Sequence, residues 1–184
     1  MRVLSILTTA FAACTTVSAF AIEARDAATV VGDIRTLTTQ LNTLQNQLKA
    51  FQGGAAGTGA ALQIQGTEQT IENTLKKAAQ DASNSPNFGN SGSADVANAI
   101  VGVERNIYSV LDLLIQKKSA FATAALGFSA TGLVLQDLKN LKSQTDAFGA
   151  NASAKLVPEL AKLAPLLLSN IDYHYSVAID AYSS

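Results

Sequence analysis

The sequence has no tryptophan, a single cysteine, a single histidine and only three prolines in 184 residues. Metal sites built from His and Cys, and nucleophilic catalysis by a Cys–His pair, therefore have almost no raw material. Charge is scarce as well: 13 Lys and Arg stand against 14 Asp and Glu, a formal net charge of −1. That balance offers nothing to a phosphate backbone, so no nucleic-acid partner is expected. The shortage of charge, 15% of residues against 48% apolar, also excludes a disordered chain. What is present suits one domain, which at this size hides roughly 70% of its unfolded surface.

The N-terminus reads as a processing segment. Met1 and Arg2 precede an apolar run from Val3 to Cys14, followed by the small residues Val17-Ser18-Ala19 and Phe20-Ala21. This is the order of a secretory signal peptide, with cleavage expected after Ala19 and, as second choice, after Ala21. A membrane anchor is the alternative, but the run is short for a span of about 20 residues. Residues 1–19 are thus expected to leave, and 20–184 to form one domain. Cleavage removes Cys14, so the secreted protein would hold itself together by packing, without a disulfide. One glycosylation sequon occurs, Asn151-Ala152-Ser153, in a predicted turn. The last residues carry no hydrophobic tail, and a GPI anchor is not expected.

The rest of the chain repeats one pattern. Val30, Ile34, Leu37, Leu41, Leu44, Leu48 and Phe51 follow one another at alternating steps of four and three, a heptad seam. A glycine-rich run from Gly53 to Gly59 interrupts it. A second helix is predicted over 60–82, with Ile64, Ile71, Leu75, Ala78 and Ala82 inside. Glu68, Glu72, Lys76 and Lys77 lie on its outer face, with Glu72–Lys76 spaced for an ion pair. Residues 83–93 read as a loop, with Ser93 as N-cap of a third helix running to Lys117-Lys118. From Ser119 to Gln136 no residue is charged; this stretch predicts either a covered helix start or the lining of an apolar cavity. The fourth helix follows Val134, Leu138, Leu141, Thr145 and Phe148 and is expected to stop at Gly149. A fifth is predicted over 152–182, kinked at Pro165. No segment alternates as a strand. The expected fold is all-α, a bundle of about five amphipathic helices.

Chemistry is nearly absent. His174, flanked by Tyr173 and Tyr175, sits late in a predicted helix, and no G-x-S-x-G elbow occurs. The glycines at 53, 54, 57 and 59 lack the Lys-Ser/Thr of a phosphate loop. The acids appear scattered on outer faces, and Lys76-Lys77 and Lys117-Lys118 as solvated ends. No catalytic residue, metal ligand or cofactor is expected. A transmembrane segment is not expected either. The helices can close on each other, leave a slot for an alkyl chain, or open onto an apolar surface.

Three segments carry a resemblance. They are Ala27-Ala28-Thr29-Val30-Val31-Gly32-Asp33-Ile34, then Leu111-Asp112-Leu113-Leu114-Ile115-Gln116-Lys117-Lys118-Ser119-Ala120-Phe121, then Val134-Leu135-Gln136-Asp137-Leu138-Lys139-Asn140-Leu141. In that order, behind a signal peptide, they resemble the fungal hydrophobic surface-binding protein A and cell wall galactomannoprotein family. The resemblance covers nearly all of the mature chain. It implies a secreted helical bundle that is not an enzyme and that adsorbs to hydrophobic surfaces or holds a fatty acid between helices. Secreted hydrolases and cell wall polysaccharide enter as further partners on the same ground. The chain lacks the Ser/Thr-rich stalk of wall-anchored members, which favours free secretion or loose wall association. The lead expectation is binding of hydrophobic surfaces or fatty acids through inner helix faces. A structural wall mannoprotein with a closed core is the alternative, and a hydrolase using His174 a third class. A ligand slot is expected among the third to fifth helices, at Ile107, Leu111, Leu114, Phe121, Phe128, Leu138, Leu141, Leu167 and Ile171. Tyr108 or a nearby hydroxyl is the candidate for a head group.

Overall fold

The structure, a computed structural model, describes the backbone of residues 15–124 and 129–184 and the side chains from Asp26 onward outside 125–128. Most of the signal-peptide expectation, and Phe128 among the slot residues, lie outside the described residues. The elements are α1 (Thr15–Ala50), a 3₁₀ turn (Ala55–Gly57), α2 (Thr58–Asn84), α3 (Gly89–Gln116), α4 (Lys118–Phe121), α5 (Thr131–Ser153), α6 (Pro158–Ala161) and α7 (Ala164–Ser183). Five are long, α4 and α6 are single turns, and no strand occurs among the described residues.

The five long helices form a closed ring in the order α1, α2, α5, α7, α3 and back to α1. Cross-links fix their directions. Gly92 meets Ala27 and the Asn106 amide donates to Asn42, so α3 runs parallel to α1. The Asn170 amide donates to Glu104 and the Tyr182 hydroxyl to the Leu114 carbonyl, so α7 runs with them. Helices α2 and α5 run the opposite way: Gln40 reaches Thr74, Lys77 reaches Asp33, and the Asn151 amide donates to the Ala79 carbonyl.

Ring geometry leaves space on the axis. With neighbouring axes about 8–10 Å apart, five in a ring stand roughly 7–8.5 Å from the centre. Large side chains must fill that gap or it stays open. At the end where α1 finishes, they fill it. Phe51 and Phe121 pack with ring centroids 4.6 Å apart, beside the buried Leu48, Leu114 and Tyr182. The closing turn needs Gly53, whose φ is +76°; a Cβ there would stand 2.5 Å from the Ala120 carbonyl oxygen.

The heptad seam of α1 is buried throughout, as are the seams of α2 and α5. Several expectations about boundaries give way to tertiary contacts. Ser93 is not an N-cap: α3 begins four residues earlier, and Ser93 is fully buried, its Oγ accepting from the Val157 N–H at 3.0 Å. Gly149 does not stop α5, which runs on to Ser153; the missing Cβ makes room for Leu168, whose Cδ2 would lie 2.3 Å from it. The sequon consequently sits in the last turn of α5 rather than in a turn between helices, with the Asn151 Nδ2 bonded to Ala79 at 3.0 Å. The fifth helix is two pieces, because Pro158 and Pro165 each occupy the start of a helix, where a missing N–H does no harm.

Candidate functional site

The half of the bundle toward α6 is not filled. A cavity of about 260 Å³ lies inside the ring there. Its walls come from all five long helices: Ile34, Leu37 and Leu41 of α1, Ile71 and Leu75 of α2, Ile107 of α3, Phe148 of α5, Ile171 of α7. The small Ala97, Gly149 and Ala164, also in the wall, explain why the space stays open. The volume is just under the roughly 300–1,000 Å³ common for small-molecule pockets.

Polar groups in this wall are few and mostly satisfied. The Thr145 hydroxyl donates to the Leu141 carbonyl at 2.8 Å and stands 3.2 Å from the buried Tyr175 hydroxyl. Burial pushes the Tyr175 hydroxyl up to about 12, so it stays protonated. Ser153 Oγ donates to the Gly149 carbonyl at 2.6 Å. Asn98 sits at the exposed edge. A chamber with this lining selects apolar chains by burial and offers one hydroxyl pair for orientation.

Of the slot residues expected from sequence, Ile107, Leu167 and Ile171 come together in this wall. Leu111, Leu114, Leu138 and Leu141 are instead packed in the core and are not part of it. Phe121 lines a separate pocket of about 90 Å³ at the other end, with Ile64, Ala124, Ala130, Leu133, Val134 and a pair of acids. The first two helices were missed as contributors. Their heptad seams signal only an inward face, and whether that face meets side chains or space depends on the ring.

The acid pair overturns the expectation that acids lie on outer faces. Glu68 is only 3% exposed, at hydrogen-bond distance from Asp137 across α2 and α5. Burial, then the Asp137 charge, pushes the Glu68 carboxyl up to about 8, so it is protonated at neutral pH and donates to Asp137. Asp33, also expected outside, is buried and paired to Lys77 at 2.7 Å, and Lys77 bridges on to Asp81. The expected Glu72–Lys76 pair is present at 2.6 Å. Lys117 is no free end either: its Nζ donates to the Phe51 carbonyl at 2.7 Å. His174 stacks on Tyr108 with centroids 3.8 Å apart, and the Tyr108 hydroxyl donates to Glu104. Tyr108 thus faces outside the cavity, and its hydroxyl is already engaged. No group of His, Cys, Asp and Glu among the described residues could hold a metal ion, and none of the described helices is long and apolar enough to cross a membrane.

Comparison with known proteins points one way. Residues 27–154 match the family described as hydrophobic surface binding protein A. Cell wall mannoprotein 1 of Aspergillus fumigatus is 24% identical over 155 residues, 84% of this chain and 51% of its own. The chain therefore spans about half the length of that curated relative. The crystal structure of AfMp4p in complex with palmitic acid matches with a TM-score of 0.78 at 29% identity, over 85% of this chain and 99% of that one. Ligand binding domain 1 of the Penicillium marneffei MP1 protein, complexed with arachidonic acids, matches with a TM-score of 0.75 at 17% identity, over 88% and 99%. The latter likeness is one of fold alone.

Proposed function

The chain belongs to the hydrophobic surface binding protein A family, and on that premise we propose that it is a secreted, non-enzymatic protein that holds fatty acids in the cavity between its helices. The observation that carries this reading is the apolar cavity of about 260 Å³ inside the helix ring. It lies in a fold shared, at 29% identity, with a protein whose structure contains palmitic acid. Each methylene buried there contributes about 0.8 kcal/mol, so affinity should rise by up to roughly fourfold per added methylene until the cavity is full. Adsorption to hydrophobic surfaces fits the family's name and the exposed Val101, Leu163 and Leu166. Recruitment of secreted hydrolases, or association with wall polysaccharide, would be a further role of the adsorbed protein. Secretion rests on residues 1–19 acting as a signal peptide, which N-terminal sequencing of the secreted protein checks.

Native mass spectrometry of that protein, followed by solvent extraction and lipid identification, tests the main reading. A stoichiometric fatty acid is the expected result, and delipidated protein should take up saturated acids with the chain-length dependence given above. Protein that stays empty after incubation with the whole series would overturn the reading and leave surface adsorption and a structural wall role to compete.

A further inference from the structure

One wall of the cavity is built unlike the others. Residues 158–169 comprise α6 and the first turns of α7, and Leu160, Leu163, Ala164, Leu167 and Leu168 from this short stretch all face the cavity. Pro165 opens α7 and separates it from α6, so residues 158–163 stand outside the ladder of any long helix, while 164–169 are the first turns of α7. Outside the ladder of α7 its backbone bonds are local, from Leu160 and Ala161 to Val157, Lys162 to Pro158, Leu163 to Leu160, and Leu166 and Leu167 to Leu163. Among the described residues no hydrogen bond or ion pair ties it to another helix.

Two polar clasps on α3 bracket the stretch. On one side the Val157 N–H donates to Ser93 Oγ at 3.0 Å; on the other, the Asn170 amide donates to Glu104 Oε1 at 3.2 Å. Between the clasps, α3 presents Ala97, Ile100 and Val101 to the same cavity. Two residues of this seam belong to the cavity wall and are still largely open to solvent: Val101, 51% exposed, and Leu163, 57% exposed. Where wall residues are also surface residues, the wall is one side chain thick.

We infer that residues 158–169 are the gate of the cavity, and that an alkyl chain passes between them and α3, across Val101 and Leu163, as the stretch swings between its two clasps. Opening breaks apolar contacts, which the incoming chain replaces, and backbone hydrogen bonds only at the N-terminal end of α7. The other long helices would have to break the middle of a ladder or a buried polar contact to do the same. A cavity somewhat small for a long chain also requires a wall that gives, and this is the wall with least to lose. The inference rests on the fatty-acid reading and names the route for that same site.

The test uses the full chain carrying Val101→Cys and Leu163→Cys in a Cys14→Ser background, with cis-parinaric acid as the fluorescent probe. A short bis-maleimide bridging the two positions should slow uptake by roughly tenfold or more, and protein bridged after loading should keep its probe when delipidated albumin is added. The unbridged double variant, measured in parallel, is the reference for both rates. Equal loading and unloading rates with and without the bridge would overturn the gate. Ser93→Ala provides a second measurement that needs no cross-link. Loss of that clasp should speed probe release several-fold, and an unchanged release rate would count against the gate. If wild-type protein takes up no probe at all, the fatty-acid reading itself falls, an outcome distinct from a gate placed in the wrong wall.

Discussion

The carboxyl of Glu68 is the residue least suited to its surroundings. Its pKa lies near 4.5 in the unfolded chain and at about 8 in the folded one, because burial and then Asp137 oppose the charge. Between those two values the folded protein holds a proton that the unfolded chain has released. Folding is therefore favoured most below the lower value and loses ground as pH rises through the upper one. The slope attributable to this group approaches about 1.4 kcal/mol per pH unit. Urea unfolding across this range should show stability falling toward mild alkali, and Glu68→Gln should flatten that decline, since a neutral amide can still donate to Asp137. A variant that retains the full decline would assign it to other groups. At the acid side the opposite sign applies. Asp81 and Asp172 are held below the usual carboxylate range by Lys77 and Lys142, so protonating them removes stability as pH falls. None of this was legible beforehand. Glu68 stands four residues before Glu72 on a helix with a good outer face, and only the approach of α5 buries one and leaves the other exposed enough to pair with Lys76.

At the scale of elements, the apolar steps told where helices lie, while their ends were decided by neighbours. The α1 seam is an example of the first. Gly149 is an example of the second: glycine most often marks a helix end, but here it admits Leu168. Gly149→Ala pushes the far end of a flexible leucine toward the cavity. It should leave stability nearly unchanged while weakening fatty-acid binding, as a titration with cis-parinaric acid would register. Gly53 differs, since its missing Cβ would meet backbone and its φ is +76°. Gly53→Ala should lower stability by about 2 kcal/mol or more, from left-handed strain plus a clash that backbone must absorb. Thermal unfolding of the two variants side by side checks both, and a large loss for Gly149→Ala with none for Gly53→Ala would reverse the assignment. Pro165, expected to kink one helix, instead opens α7, as Pro158 opens α6, because proline at a first turn loses no hydrogen bond.

For the whole molecule, ligand and fold are coupled through the ring. A fatty acid that binds the closed ring and not the unfolded chain should add about 2.7 kcal/mol at a hundred times its Kd, a rise of roughly 5–10 °C in melting temperature at this chain length. Differential scanning calorimetry with and without palmitate measures it, and an unmoved transition would count against an internal site. Hydrogen exchange should find residues 158–169 the least protected part of the bundle wall when empty, and more protected when loaded. The sequence by itself determined that the chain is helical, about how many long helices it has and where most of their apolar seams lie, because periodicity and composition are local properties carried by each segment alone. It could not determine whether the inward faces meet. That depends on five helices closing a ring around an axis, with Phe51, Phe121 and Tyr182 filling one end and Ala97, Gly149 and Ala164 leaving the other open. A cavity is the volume that packing fails to fill, a difference between many side chains and the space they enclose, and no single segment contains that information.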